Sequence, residues 1–323
     1  MRVHVADQLR VWPVTQLMCV LVLVWAASGL ASDHECEAKR VAIILSNSTY
    51  RMAKTYEFAR DEFERHGYEV EAFTPSNLTD RRLNELVATG CTDFLAIGKT
   101  AAEVMKNRLP ANVRLAYCQV NHPERKGLLE RPGTRGVGRE IPLGDQFSLI
   151  TQAFPDATKI GMIYDSENTA SLRVLAATYK HLPQGIQLIA VDIRDHDDNL
   201  PDAVRAVVAK SPDVFWANQY HIYFSDLKIR AILLPTIRSR VPVFGFSIHF
   251  VRSGAIFGAG ITPKIHGKQV ARLVMSSSRD EQAEADEKLL LPDYEIGLNL
   301  KAAATIQRSV SDAYRERATV IID

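Results

Sequence analysis

Gly98-Lys99-Thr100 stands where an apolar strand gives way to a helix, a setting in which backbone N–H groups, an ammonium and a hydroxyl can hold an anion. A nucleotide-binding phosphate loop needs another glycine five residues before Gly98. Position 93 is Asp, so nucleotide hydrolysis is not expected. What remains at Gly98, Lys99 and Thr100 is a seat for a carboxylate or phosphate. Gly245-Phe246-Ser247-Ile248-His249 resembles a nucleophile elbow, but His249 occupies the place where the sharp turn requires a small residue. Ser247 and His249, at the carboxyl end of a strand, fit hydrogen bonding to a ligand better than catalysis.

Three further loops have the same setting. Tyr164-Asp165-Ser166-Glu167-Asn168-Thr169 follows a strand and enters a helix that Asn168 or Thr169 can cap; Tyr164, Asn168 and Thr169 can also reach a ligand. Trp216-Ala217-Asn218-Gln219-Tyr220-His221 offers the Asn218 amide and the Tyr220 ring, while Trp216 suits the core. Ser46–Tyr50 is the corresponding loop after the first strand and contributes Asn47. None of these loops pairs an acid with a base or a nucleophile with a base, so the inventory is that of a binding protein and not of an enzyme. The histidines and cysteines lack metal spacing, and no residue pattern calls for a cofactor.

The elements that must position these loops come in two runs, over 37–142 and 159–261. Val41–Ser46 is a continuous apolar segment, the mark of a strand buried on both faces of a parallel sheet. Helix 51–66, strand Tyr68–Phe73, a helix capped near Asn77–Asp80, strand Asp93–Ile97, helix Thr100–Asn107 and strand Val113–Tyr117 complete a first α/β lobe. The stretch 119–142, rich in Gly, Pro and charge, reads as the passage between lobes. The alternation then resumes with strands Lys159–Ile163, Gln187–Asp192, Val214–Trp216, Val243–Gly245 and Ala255–Gly258, separated by helices. Gly258-Ala259-Gly260 reads as a second hinge. Helix Pro263–Met275 returns to the first lobe, a polar loop covers 276–287, and the chain closes with strand Pro292–Leu298 and a helix from near Lys301. The expectation is α/β: two open, doubly wound, Rossmann-like lobes joined by hinge crossings. The N-terminal lobe takes 37–142 plus about 262–285, and the C-terminal lobe 143–261 plus about 286–323.

Residues 1–31 read as a cleavable export signal: Arg2 and Arg10, the apolar run Leu17–Ala27, then Ser28, Gly29 and Ala31 before the cleavage point. Cys19 lies inside the apolar run, without the small residues that precede a lipidated cysteine. The formal charge of +1 falls to zero once Arg2, Arg10 and Asp7 are removed. A neutral chain without basic blocks gives no reason to expect nucleic acid or an anionic membrane surface as partner. Cys36, Cys91 and Cys118 remain, an odd number that allows one bridge at most.

Four segments in order resemble the ABC-transporter substrate-binding family of type I periplasmic binding folds, in its tryptophan/tyrosine-type branch. They are Pro155–Asp165 (PDATKIGMIYD), Val241–Gly245 followed by Val251–Ala255 (VPVFG…VRSGA), Gly267-Lys268-Gln269 opening a helix, and Glu295–Ala303 (EIGLNLKAA). The resemblance spans about 90–320 and is strongest in the second lobe. It implies a monomeric periplasmic protein that closes two lobes on a small polar ligand and hands it to an ABC permease. The loops at Gly98, after Tyr164, at Asn218 and at Ser247 should line the cleft. Asp165-Ser166 stands where the family commonly has Asn-Pro, Phe246-Ser247 where it has Ser-Asp, and Gln119, Asn121 and His122 also depart from it. Gln119 joins the ligand candidates on that ground. Because these departures fall in the ligand loops, amino-acid specificity does not carry over. The alternative is a sensor that presents ligand occupancy to a membrane receptor, a kinase or a cyclase.

Overall fold

The computed structural model describes residues 39–218, 225–277 and 288–323. Residues 1–31, expected to be an export signal, Cys36, Tyr220 and most of the polar loop 276–287 lie outside the described residues.

Two sheets share one strand order. In the first, β1 (Lys39–Leu45), β2 (Tyr68–Phe73), β3 (Asp93–Ile97), β4 (Arg114–Cys118), β5 (Thr134–Val137) and β11 (Leu289–Leu290) run β2-β1-β3-β4-β5-β11, all parallel. In the second, β6 (Lys159–Tyr164), β7 (Gln187–Asp192), β8 (Val214–Ala217), β9 (Val243–Gly245) and β10 (Phe257–Gly260) run β7-β6-β8-β9-β10. β12 (Glu295–Asn299) then joins antiparallel to β10, and β13 (Val320–Ile322) closes that edge. The order reverses between β1 and β3 and again between β6 and β8. At such switch points the following loops diverge and leave a crevice at the strands' carboxyl ends.

Helices cover both faces, which is why the central strands are apolar throughout. On the first sheet, α1 (Tyr50–Arg65) and α9 (Pro263–Ser277) enclose Val41, Ile43, Leu95 and Ile97 with Ala59, Phe63, Val270 and Val274. α2 (Asp80–Ala88) and α3 (Lys99–Arg108) bury Ile44, Phe94 and Leu115 on the opposite face. On the second sheet, α5 (Thr169–His181) follows β6, while α6 (Leu200–Val208) and α7 (Asp226–Arg238) cover one face. α4 (Leu143–Ala153) covers the other, where the Phe147 ring packs tilted against Trp216 with centroids 5.1 Å apart and the Trp216 indole donates to Gln146 Oε1 at 3.0 Å. Trp216 is thus a core residue. The short α8 (Ile248–Arg252) follows β9, and α10 (Leu300–Thr305) and α11 (Asp312–Arg317) finish the chain. The buried Tyr314 hydroxyl bonds to the Gly258 and Gly297 backbone, tying α11 to β10 and β12.

Several elements differ from the expectation. Gly258-Ala259-Gly260 is strand β10, not hinge. A Cβ on Gly258 would stand 2.2 Å from the Gly245 carbonyl oxygen, and one on Gly260 2.8 Å from Ile248 N. These glycines permit close approach of neighbouring backbone and confer no bend. The passage 119–142 contains β5, and α4 follows it. β11 hydrogen-bonds into the first sheet beside β5, so the chain's last return to the second sheet comes after Leu290, beyond the expected 286. Cys91 and Cys118 are buried free thiols. No helix among the described residues is long and apolar enough to cross a membrane.

Candidate functional site

The carboxyl ends of both sheets open onto a cavity of about 520 Å³. Tyr50 and Arg51 of α1 border it from the first lobe, and Ser247, Ile248 and His249 from the second. Arg139 and Ile141, on the crossing that follows β5, and Ile261 and Thr262, on the crossing that follows β10, form its floor.

A buried polar chain stitches that floor. The Thr55 hydroxyl donates to the Arg51 carbonyl at 2.8 Å and accepts from Gln119 Nε2 at 3.2 Å. The same amide nitrogen donates to His266 Nδ1 at 2.9 Å, which leaves the other ring N–H facing the Val137 carbonyl at 3.4 Å. This assigns the neutral Nε2–H tautomer. Burial, reinforced by the charges of Arg51 and Arg139, pushes His266 down to about 4. Gln119 holds a positive φ of 58° to reach inward from the end of β4. Arg51 Nη1 donates to the Ile261 carbonyl at 3.1 Å, and Arg139 Nη1 to Asn121 Oδ1 at 3.1 Å. Desolvation, then their mutual repulsion, lowers Arg51, and desolvation lowers Arg139.

The second lobe's loops are held more by their own chain. Asp165 receives Arg194 Nε at 2.9 Å and Nη2 at 3.1 Å in a forked pair and also accepts the Glu167 N–H. That clamp fixes the turn after β6. Asn218, at the end of β8, is 2% exposed, and its Oδ1 meets no donor among the described residues. A buried carbonyl oxygen without a donor carries a desolvation cost that a ligand N–H or O–H would recover.

The model of the ABC transporter substrate binding protein family matches residues 127–316, more than half of the sequence. The chain belongs to this family. No curated protein matches it in sequence. Among solved structures, the ligand-free, open form of CD0873, a substrate binding protein with adhesive properties from Clostridium difficile, aligns with a TM-score of 0.69 at 14% identity, covering 88% of this chain and 99% of that one. An ABC domain from Streptococcus pneumonia in complex with L-Trp aligns at 0.57 and 16% identity, with 88% and 99% covered. A conserved domain protein from Vibrio cholerae aligns at 0.55 and 20%, with 88% and 100% covered. At such identities the likeness is one of fold: two Rossmann-like lobes of the type I periplasmic binding architecture.

In this substrate-binding protein the expected ligand residues take distinct positions. Ser247 and His249 border the cavity. Ser247 caps α8 by accepting the Phe250 N–H, and His249 Nε2 lies 2.7 Å from Asp226 Oδ1. Asn168 caps α5 by accepting from the Ala170 and Ser171 N–H groups, and Thr169 begins that helix. Tyr164 is half-buried at the end of β6 and packs on the second-lobe core. Asn47 is exposed and accepts from Thr49 N and Oγ1 in a local turn before α1. Lys99 and Thr100 are exposed at the start of α3, and Gly98 holds a φ of 94° beneath Met52 and Ser46. Ser46 Oγ already accepts the Ala101 N–H there. Gln119 commits its Nε2 to Thr55 and His266, while its buried Oε1 meets no donor among the described residues. Tyr220 lies outside the described residues.

Arg51, Arg139 and Arg252, which border the cavity, were absent from the sequence expectation. Arginines on a helix's first turn, in a charged crossing segment and at the end of a short helix look like ordinary solvated residues along the chain. Only the folding of α1 against the two crossings brings Arg51 and Arg139 together.

Proposed function

We propose that this chain is the periplasmic receptor of an ABC importer, exported by its cleaved signal, and that it captures a small polar ligand in the cavity between its lobes. The cavity supports this reading: it lies at the carboxyl ends of two doubly wound sheets, is bordered by both lobes, and is floored by the segments that join them. Hinge closure around a ligand brings side chains from each lobe onto it, so occupancy stabilises the closed form. A micromolar site needs about 8 kcal/mol, within reach of a few hydrogen bonds in a dry cleft. Ser247 supplies a second-lobe contact at the cavity border; Asn218 does not border the cavity, and its buried Oδ1 is offered as an acceptor reached on closure. Membership of a substrate-binding family supports binding without turnover.

A thermal-shift screen of small polar metabolites tests the proposal. A ligand at about 100 times its Kd should add about 2.7 kcal/mol of stability. Substituting both Asn218→Ala and Ser247→Ala should abolish that shift; an unchanged affinity would remove these residues from the cleft. Co-purification with a permease supports import, whereas co-purification with a receptor kinase or cyclase instead would make the protein a sensor.

A further inference from the structure

Helix α7 buries Ile229, Ile232, Leu233 and Thr236 on one side. With 3.6 residues per turn, Leu227, Arg230, Leu234 and Arg238 form a stripe on the opposite side, and all four are exposed. Leu227 is 78% exposed and Leu234 57%, two turns apart on that stripe. Lys228 flanks it and Arg240 follows the helix, both also exposed. None of the four basic side chains Lys228, Arg230, Arg238 and Arg240 makes an ion pair or hydrogen bond among the described residues. The one carboxylate on the helix, Asp226, lies 2.7 Å from His249 Nε2. Other helices balance their solvent-side cations. Lys54 pairs with Glu57 on α1, Arg81 with Glu85 on α2, and Arg205 with Asp202 on α6. Pairs three or four residues apart are the ordinary state of a solvated helix face. α7 departs in two respects: it holds large apolar side chains in water and leaves the cations around them without local carboxylates. Leucines scattered singly over a surface need no explanation. Two on one stripe, set among arginines, have the make-up of an interface with an apolar centre and a charged rim.

We propose that the outer face of α7 is the docking surface for a protein partner that presents carboxylates around two apolar pockets. Leu227 and Leu234, about 10 Å apart along the helix axis, fill the pockets, and Arg230, Arg238 and Lys228 meet the carboxylates. An anionic bilayer fits this face less well, because it takes up a continuous apolar stripe and here arginines interrupt the leucines. The face also lies where a partner can sense the cleft. Ile229 of α7 borders the cavity, and Asp226 ties the first turn of the helix to His249, which borders it too. The outer stripe itself is separate from the ligand cavity and serves a permease or a receptor alike.

The test is a benzophenone side chain placed at position 234 of the full chain, irradiated in cells that make the protein, with the same group at position 179 as control. Tyr179 is an exposed aromatic on α5, which packs on the other face of the second sheet. One protein should crosslink at 234 and not at 179, through a segment rich in Asp and Glu. With that partner purified, Arg230→Glu combined with Arg238→Glu should weaken binding by at least about tenfold, and Leu227→Ala by about tenfold. Replacing the crosslinked carboxylates of the partner with Lys should restore binding of the double Glu variant and not of Leu227→Ala. Added salt should weaken the wild-type complex, a readout that needs no variant. Melting temperatures of the variants should match the wild type, because these side chains touch neither the cavity nor the core. The docking surface is ruled out by no crosslink above the position-179 control, by crosslinks to lipid alone or to a second copy of this chain, or by a partner segment without carboxylates. Binding that survives both the charge reversal and added salt also rules it out, and each of these results leaves the ligand cavity standing.

Discussion

His266 has no exposed surface and sits among Thr55, Gln119, the Val137 and Gly138 backbone and the charges of Arg51 and Arg139. Its folded value of about 4 lies below the 6.5 of an unfolded histidine, so the unfolded chain binds the proton more tightly. Stability from this group is therefore complete above about pH 6.5 and is lost as pH falls towards 4. Between pH 7 and pH 4.5 the wild type should lose about 2–3 kcal/mol more than His266→Gln, whose neutral side chain does not titrate. Urea unfolding of both proteins at the two pH values measures this, and parallel losses would contradict it. None of this was legible along the sequence, where His266 is one of nine scattered histidines. The same holds for Arg51 and Arg139, whose significance comes from a juxtaposition across the fold. Ser247 and His249 were legible as cavity residues because they directly follow a buried strand, and the carboxyl end of a parallel strand faces the cleft whatever the rest of the chain does.

Helix α9 lies against α1 at the closest approach permitted by Gly267. A Cβ there would stand 2.5 Å from the Thr55 carbonyl oxygen and 3.0 Å from the Ala59 nitrogen, both backbone atoms that cannot swing away. Gly267→Ala must push the helices apart, with an expected cost of about 1–3 kcal/mol. Gly144, also helical, has nothing within 4 Å of the corresponding position, so Gly144→Ala should be neutral or stabilising by up to about 1 kcal/mol. Denaturant midpoints of the two variants separate steric crowding from glycine's conformational entropy; equal shifts would refute the close-approach account. At this scale the sequence was informative for continuous apolar strands such as β1, β3 and β6, where burial on both faces leaves one pattern. It failed where two causes give the same residues. Gly258 and Gly260 look like a flexible joint, yet they are strand positions crowded by β9 and Ser247. β11 and β13 are two and three residues long, too short to show alternation, and exist only through pairing.

Three crossings join the lobes, and side chains tie them together. Gly138 N donates to the Leu290 carbonyl at 2.8 Å, and Gln269 of α9 donates to the Leu291 carbonyl at 2.8 Å while accepting from Asp293 N at 2.9 Å. Arg51 reaches Ile261 on the remaining crossing. A hinge of three tethered strands favours rotation of whole lobes over bending of either one. Saturating ligand should therefore reduce the radius of gyration in solution scattering while leaving amide exchange in the strand cores unchanged; an unaltered radius would count against closure. The same threading has a consequence for how the molecule comes into being. The first sheet lacks its covering helix until Pro263–Ser277 has been made and its edge strand until Leu290, and the second lacks β12 and β13 until Ile322. Both sheets thus take their last partners from segments that follow both runs of alternating strands and helices. Each half therefore depends on segments drawn from late in the described chain, which couples the completion of one lobe to that of the other.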